Sequence, residues 1–294
     1  MSKFTINEQV LAEIEALGSL LKNNVAGMFG GNRQSKNFGS SCEFADYRDY
    51  VPGDDINKID WNAYARFDKL YQKLYLDERQ MHTKIYIDAS RSMYYGNKEK
   101  GEQALRMAAT FAYLSISEMD KVSIYAIHGT EIEEIVSGMV GKESYINYIN
   151  KLNDIEFIGD SHISDAILPS NVGRGDGFSV VISDFLTDDD YEKAIDHLVS
   201  KRRDVLCVQV LSSDELNPQM RGKMHLFDSE NAQKTYRKKI DHDIVKAYKE
   251  ALRFVIERIK GYCEARGATY LLAPANANIL EIFFGKMVDL GVLK

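Results

Sequence analysis

Three oxygen-bearing side chains on alternate positions, Asp88, Ser90 and Ser92, are where chemistry first becomes readable in this sequence. They follow Lys84-Ile85-Tyr86-Ile87, an apolar run of strand character, and they precede helical spacing of apolar residues from Gly101 to Met119. A carboxylate and two hydroxyls are hard oxygen donors. Mg²⁺ is the cation they suit best, with Mn²⁺ or Ca²⁺ as alternatives. Strand, oxygen-rich turn and helix begin a βαβ unit, and open α/β sheets bind ligands at the carboxyl ends of their strands. Two later loops carry donors for the same rim, Gly159-Asp160-Ser161 and Ser183-Asp184. The candidate metal set is therefore Asp88, Ser90, Ser92, Ser161 and Asp184. With few carboxylates, an ion held there keeps a position open for an anionic group, most simply an Asp or Glu of a protein partner. The competing reading is that Asp88, Ser90 and Ser92 only cap the following helix or close a turn.

A second acidic stretch lies upstream, between Ser41 and Arg66, around a Pro52-Gly53 turn signal. Asp54, Asp55 and Asp60 read either as a second acidic site or as local caps paired with Arg48, Lys58 and Arg66. Asp54, Asp55, Asp60 and Arg66 are candidates for supporting the metal-site face. Trp61, the only tryptophan, reads as a packing anchor.

The elements that must position these residues follow from periodicity. Glu8 to Leu21 is an amphipathic helix expected on the main body, and Asn23 to Ser41 is loop. Leu70 to Glu78 reads as a strand feeding into the sheet. Core strands are expected over Thr83–Asp88, Lys121–Ile127, Phe178–Ser183, Asp204–Leu211 and Thr269–Leu272, with Thr130–Val136 as an edge strand. Helices are expected over Glu102–Met119, Lys142–Leu152, Asp189–Lys201, Asp241–Arg266 and Ala277–Leu290. A further helix is entered from the Phe157–Ile167 loop, Gly175 to Gly177 marks a turn, and Pro218 to Thr235 is a hairpin-like insertion. Strands alternating with helices predict an α/β fold: a doubly wound, mostly parallel sheet over 80–294 with a small insertion near 214–240. Residues 1–79 form an N-terminal helical and β extension.

Bulk properties exclude several classes. With 37 basic against 44 acidic residues, the net charge of −7 argues against nucleic acid as a partner. Cys42, Cys207 and Cys263 are scattered and form no paired motif. Met1 to Glu8 contains no signal-peptide core, and no apolar run approaches the roughly 20 residues of a membrane span. A cytoplasmic protein without direct membrane insertion is expected. Neither a phosphate-binding Gly-x-x-x-x-Gly-Lys loop nor a Gly-x-Ser-x-Gly elbow occurs. The six histidines make no His-Glu-x-x-His pair, and only His162, beside Ser161, is placed to reach the site. A metal-dependent phosphohydrolase using Asp88 as nucleophile is a further possibility, although Ser90 stands where such an enzyme places a second, proton-donating Asp.

Asp88-Ala89-Ser90-Arg91-Ser92 resembles the metal-ion-dependent adhesion site of von Willebrand factor A domains, with Ser161 at the position of that motif's Thr and Asp184 as its last acidic residue. A longer resemblance covers most of the chain. Glu43-Phe44, Arg48-x-Tyr50-x-Pro52-Gly53-Asp54-Asp55, Ile59-Asp60-Trp61 and Ala65-Arg66, followed by Ser183-Asp184-Phe185, Asp214-Glu215 and Leu226-Phe227-Asp228, look like the signature of the domain-of-unknown-function family fifty-eight. That family is similar to von Willebrand A domains and is commonly paired with a MoxR-type AAA+ ATPase. The resemblance implies a von Willebrand A-like (Rossmann-like) fold and a non-enzymatic adaptor. Such an adaptor works with the motor to mature, assemble or activate a client complex. The alternatives are the phosphohydrolase above, or a structural subunit whose metal site is vestigial. Nothing in the sequence indicates an oligomeric state.

Overall fold

The computed structural model describes residues 6, 8–24, 44–75, 81–94, 99–170, 172, 177–186, 191–219, 222–227 and 235–283, and it divides the chain into two units. Unit two is Phe29–Gln80; unit one joins Met1–Met28 to Met81–Lys294. Residues 1–79, grouped by sequence as one extension, are thus divided, with helix α1 (Glu8–Asn24) in unit one.

In unit two, strand β1 (Phe44–Asp49) is followed by a 3-10 turn at Ile56–Lys58, helix α2 (Trp61–Phe67) and strand β2 (Tyr71–Tyr75). The expected strand near Leu70 forms, but over its described residues, Tyr71–Tyr75, it belongs to a two-stranded sheet and not to the six-stranded one. There β2 pairs antiparallel with β1, Asp49 opposite Tyr71. The reason is local: the Pro52-Gly53 turn folds the chain back, and Tyr50 N–H donates to Leu70 C=O at 3.0 Å. Trp61 is not a packing anchor. It stands 58% exposed, edge-to-face with Tyr64, because α2 is a short helix with no buried residue and so offers no core for an indole.

In unit one, α1 buries Val10, Ile14 and Leu17 and packs on α3 (Glu99–Ser117). Gly18 permits the approach, since a Cβ there would lie 2.5 Å from a Tyr113 ring carbon. The chain then runs β3 (His82–Asp88), α3, β4 (Lys121–His128), β5 (Glu131–Met139), α4 (Gly141–Tyr148), α5 (Ile163–Ile167), β6 (Phe178–Ser183), α6 (Tyr191–Ser200) and β7 (Asp204–Leu211). It continues through α7 (Ser213–Leu216), the hairpin β8 (Gly222–Phe227) and β9 (Thr235–Ile240), α8 (His242–Ala265), β10 (Thr269–Pro274) and α9 (Ile279–Glu281).

Six strands form one sheet in the order β10-β7-β6-β3-β4-β5, parallel except for the β5 edge. This is the doubly wound, mostly parallel sheet that the apolar runs predict. β3 and β6 are buried along nearly their whole length, as strands covered on both faces must be. The chain leaves β3 toward β4 and later returns to lay β6 on β3's other side. The order therefore reverses between β3 and β6, and the crevice outside their carboxyl ends is where such sheets bind ligands. At the opposite end, the buried Arg203 guanidinium donates to Ser179 Oγ and to the Phe178 and His82 carbonyls, tying the amino ends of β3 and β6 to the start of β7.

The insertion hairpin forms and extends to Ile240, so Thr235 opens its second strand. Residues 41–43, 76–78, 175, 189, 228 and those after 283 lie outside the described residues.

Candidate metal centre

β3 ends at Asp88, and the chain turns at once because that carboxylate accepts from the backbone two residues on. Asp88 Oδ1 takes the Ser90 N–H at 2.9 Å, and Oδ2 takes the Ser183 hydroxyl at 2.6 Å from the end of the neighbouring β6. Ser90 heads the 3-10 turn Arg91–Met93, yet its hydroxyl makes no capping bond there. It lies instead 3.1 Å from Ser92 Oγ, which donates to Asp184 Oδ2 at 2.9 Å. The turn-closing half of the local reading holds for Asp88. The capping half does not hold for Ser90, whose oxygen faces another donor in the β3–β6 crevice.

Asp184 is fixed from both sides. Its Oδ1 accepts from Leu186 N–H at 3.1 Å, and its carbonyl accepts from Gln209 Nε2 at 2.7 Å. Gln209 Oε1 in turn accepts the Tyr270 hydroxyl at 2.6 Å. The next residue, Phe185, sits in the left-handed region at φ 50°, a conformation that costs a non-glycine residue about 1 kcal/mol or more. Its ring, 1% exposed and edge-to-face with Tyr191, anchors the corner that aims Asp184 at the crevice. Ser-Asp-Phe is thus one device: a prop for Asp88, the second carboxylate, and an apolar peg.

The fifth candidate, Ser161, is carried to the same place by backbone. Arg91 N–H donates to Gly159 C=O and Ile158 N–H to Ala89 C=O, each at 2.9 Å, and Ser161 bridges to Gly129 just after β4. It is 2% exposed. The side chains of Asp88, Ser90, Ser92, Ser183 and Asp184 form the hydrogen-bonded group, and Ser161 sits on the loop stitched to it. His162 faces outward instead, 3.4 Å from Asp160 Oδ2 at the surface.

Besides the role of Ser183 as the prop of Asp88, the sequence reading missed Lys100. Lys100, 5% exposed in the first turn of α3, places its Nζ 2.8 Å from Asp184 Oδ2 and 2.7 Å from Glu215 Oε1. The available signal was its position: a cation in a helix's first turn opposes the helix dipole and needs nearby carboxylates. Gly101 beside it lets the Asp-x-Ser-x-Ser loop cross α3, since a Cβ there would meet the Tyr94 ring at 2.9 Å and the Met93 carbonyl at 3.2 Å.

Burial first, and then the Asp184 charge, push the Asp88 carboxyl above its ordinary pKa; the bonds from Ser183 and Ser90 only partly offset this. Burial works against the Lys100 ammonium, but the charges of Asp184 and Glu215 outweigh it and leave its pKa raised. Asp88, Asp184 and Glu215 with Lys100 carry a formal two negative charges, the deficit one divalent cation would cancel. Two carboxylates and two hydroxyls converge here, with no capping bond from the Ser90 hydroxyl among the described residues, and as hard donors they fit Mg²⁺ or a similar ion. Among the described residues no three His, Cys, Asp or Glu side chains gather to hold an ion, so a site here depends on the hydroxyls.

The upstream acidic residues are engaged within unit two. Asp54 pairs with Arg48 at 2.7 Å and accepts from Val51 N–H at 3.1 Å. Asp55 caps the 3-10 turn through Asn57 N–H. Asp60 caps α2 through Asn62 and Ala63 N–H, takes the Tyr47 hydroxyl at 2.7 Å and pairs with Lys73 at 3.3 Å. Lys73, rather than the expected Lys58 or Arg66, is its cation; Arg66 stands exposed in the last turn of α2.

The fold and site together define an α/β domain with a hydroxyl-and-carboxylate rim at the sheet's switch point. The family model described as "Protein of unknown function DUF58" matches residues 46–255, and the chain belongs to that family. Uncharacterized proteins of Mycobacterium bovis and Mycobacterium tuberculosis are each 23% identical over 231 residues, covering 76% of this chain and 72% of theirs. Solved structures with a similar course include an aerotolerance-related membrane protein from Bacteroides fragilis, 15% identical, covering 72% of this chain and 98% of that one at a TM-score of 0.40. Another is the manganese-loaded TRAP protein of Plasmodium vivax, 13% identical, covering 67% and 69%, also at 0.40. Among the described residues no helix is long and apolar enough to cross a membrane.

Proposed function

We propose that this chain is a protein-binding adaptor whose contact point is a divalent cation held by Asp88, Ser90, Ser92, Ser161 and Asp184, with Mg²⁺ the expected ion. One observation carries the reading: the Ser92 hydroxyl, free of any capping duty, meets Asp184 at 2.9 Å from a loop 92 residues away. Bound there, the cation supplies a positive, coordinatively open position for a carboxylate of a partner. Asp88 and Asp184 provide the charge that retains it. The hydroxyls of Ser90, Ser92 and Ser161 provide neutral oxygens that leave its charge largely uncancelled. Ser183, Gln209 and Phe185 hold the two carboxylates in place.

The reading is non-enzymatic. Asp88 is 2% exposed with both oxygens engaged, by Ser90 N–H and Ser183 O–H, which suits a fixed ligand better than a nucleophile. The nature of the partner follows from the family resemblance: a MoxR-type AAA+ ATPase, or the client that such a motor assembles or activates.

The test is capture from native lysate with mass spectrometry, comparing wild type with Ser90→Ala/Ser92→Ala, each with Mg²⁺ and with chelator. Retention of an AAA+ ATPase only by wild type with Mg²⁺ is expected. The same proteins captured in all four samples would remove the metal from the contact and favour a structural subunit with a vestigial site.

A further inference from the structure

Lys100 is an unusual residue to find where it is. Helix N-termini favour acidic side chains, and α3 has Glu99 and Glu102 in its first turn, yet the charged side chain buried between them is a lysine. Its ammonium is divided between two carboxylates. One is Asp184, the candidate ligand that also takes the Ser92 hydroxyl on the same Oδ2. The other is Glu215, which is itself held in a capping box: Oε2 accepts Ser212 N–H at 2.7 Å, and Glu215 N–H donates to Ser212 Oγ. Glu215 therefore offers Oε1 to Lys100 from a fixed seat after β7, and Asp184 offers Oδ2 from a fixed seat after β6.

Resting on the metal reading above, we propose that Lys100 is the positioning residue that sets the ion affinity of this site. Its ammonium shares the Asp184 carboxylate with the bound cation, holds that carboxylate in place before the cation arrives, and is drawn back toward Glu215 when it does. A cation approaching Asp184 meets a positive charge already on the oxygen it needs. Binding is weaker than the donor set alone would give, and reversible capture becomes possible. Three carboxylates and one ammonium also match the charge of a divalent ion and not a trivalent one. Glu215 acts on the ion through Lys100, since its Oε1 is the ammonium's second carboxylate partner.

The experiment is isothermal titration of the full chain with MgCl₂ at fixed ionic strength, using wild type, Lys100→Met, Lys100→Arg, Glu215→Gln and Ser90→Ala/Ser92→Ala. Lys100→Met is expected to bind Mg²⁺ at least about tenfold more tightly than wild type, because a like charge within a few ångströms is gone. Lys100→Arg, which keeps the charge, is expected to stay near wild type. Glu215→Gln is expected to bind several-fold more weakly, since the ammonium then has Asp184 as its only carboxylate. A residue that merely props the fold would not move affinity in opposite directions in Lys100→Met and Glu215→Gln. If Lys100→Met fails to fold, Glu215→Gln still decides: unchanged or tighter binding overturns the inference. Wild type binding Mg²⁺ with Lys100→Met equal to it or weaker also overturns it, leaving the metal reading intact. No heat of binding in any variant, with Ser90→Ala/Ser92→Ala indistinguishable from wild type, overturns both.

Discussion

Asp184 and Asp60 are both nearly buried carboxylates, 2% and 5% exposed, and both accept from several donors. They differ in where those donors come from. Asp60 is served within its own neighbourhood, by Asn62 and Ala63 N–H, by Tyr47 thirteen residues upstream, and by Lys73. The Tyr47 hydroxyl leads the effects that hold its pKa down to about 2, with burial opposing and the backbone donors and Lys73 assisting. Asp184 takes one local donor on Oδ1, Leu186 N–H, but its Oδ2 is served by Ser92 and Lys100, 92 and 84 residues away. It also faces a second buried carboxylate, Asp88, whose pKa is pushed up by burial and by that proximity. Acidic density therefore does not separate a site from a scaffold. A carboxylate whose charge is met by local donors is settled. One that shares a crevice with another, at the junction of distant loops, is where we place the proposed cation.

The largest expected effect tests the long-range half of this contrast. Asp184→Ala leaves the Lys100 ammonium buried with Glu215 alone and the Ser92 hydroxyl without its acceptor. Removing one partner of a buried ion pair typically costs about 3–5 kcal/mol. Urea unfolding followed by circular dichroism should show a loss of this order, and the double variant Asp184→Leu/Lys100→Met should recover much of it. A loss below about 1 kcal/mol would place the network among weak surface ion pairs.

An intermediate effect comes from the far end of β3. Burial, then the charges of Lys84, Lys121 and Arg203, hold the His82 pKa down to about 4, and its Nε2 lies 2.9 Å from Ser123 Oγ. A lowered histidine pKa means the unfolded chain takes up the proton near pH 6.5 while the folded chain resists until about pH 4. The contribution is complete above pH 6.5 and is lost as pH falls through that window. Allowing for partial exposure, the loss is roughly 1–2 kcal/mol. Asp88, with a raised pKa, acts in the opposite sense over an acidic range, so the readout is the difference between wild type and His82→Gln. His82→Gln should flatten the acid limb of the stability profile. Parallel curves would contradict the assignment.

Much of the fold was legible because its strands carry their burial in their composition. Phe178–Ser183 and Asp204–Leu211 are β6 and β7 to the residue, since strands covered on both faces must be continuously apolar. The β2 partner was not legible, because pairing depends on which edge lies nearest after the turn and not on the strand's own residues. Asp88, Ser90, Ser92 and Asp184 were readable from spacing and from their places after strands. Ser183 as the prop of Asp88 was hidden, because a serine ending a strand has no pattern of its own. Lys100 was hidden for a different reason. Its role exists only once α3 is laid against the ends of β6 and β7, and on the sequence it is one charged residue among the several that open a helix. Trp61 was misread because an indole suggests a core, and α2 has none.

The smallest expected effect is the sharpest test of the contrast. Asp54, Asp55, Asp60 and Arg66 were candidates for supporting the metal face, yet the described bonds of the three carboxylates stay within unit two. Asp54→Asn and Asp60→Asn each keep one side-chain oxygen to accept the turn or capping N–H while removing the charge. If these carboxylates are local fixtures, Mg²⁺ affinity should stay within about twofold of wild type, as expected for sites that share no partner. Asp60→Ala, which removes the α2 cap as well, should destabilise unit two and still leave Mg²⁺ affinity unchanged. A tenfold weakening in Asp60→Asn would mean that its charge reaches the crevice. The two acidic regions would then be one electrostatic system, and the division between settled and unsettled carboxylates would have to be redrawn around both.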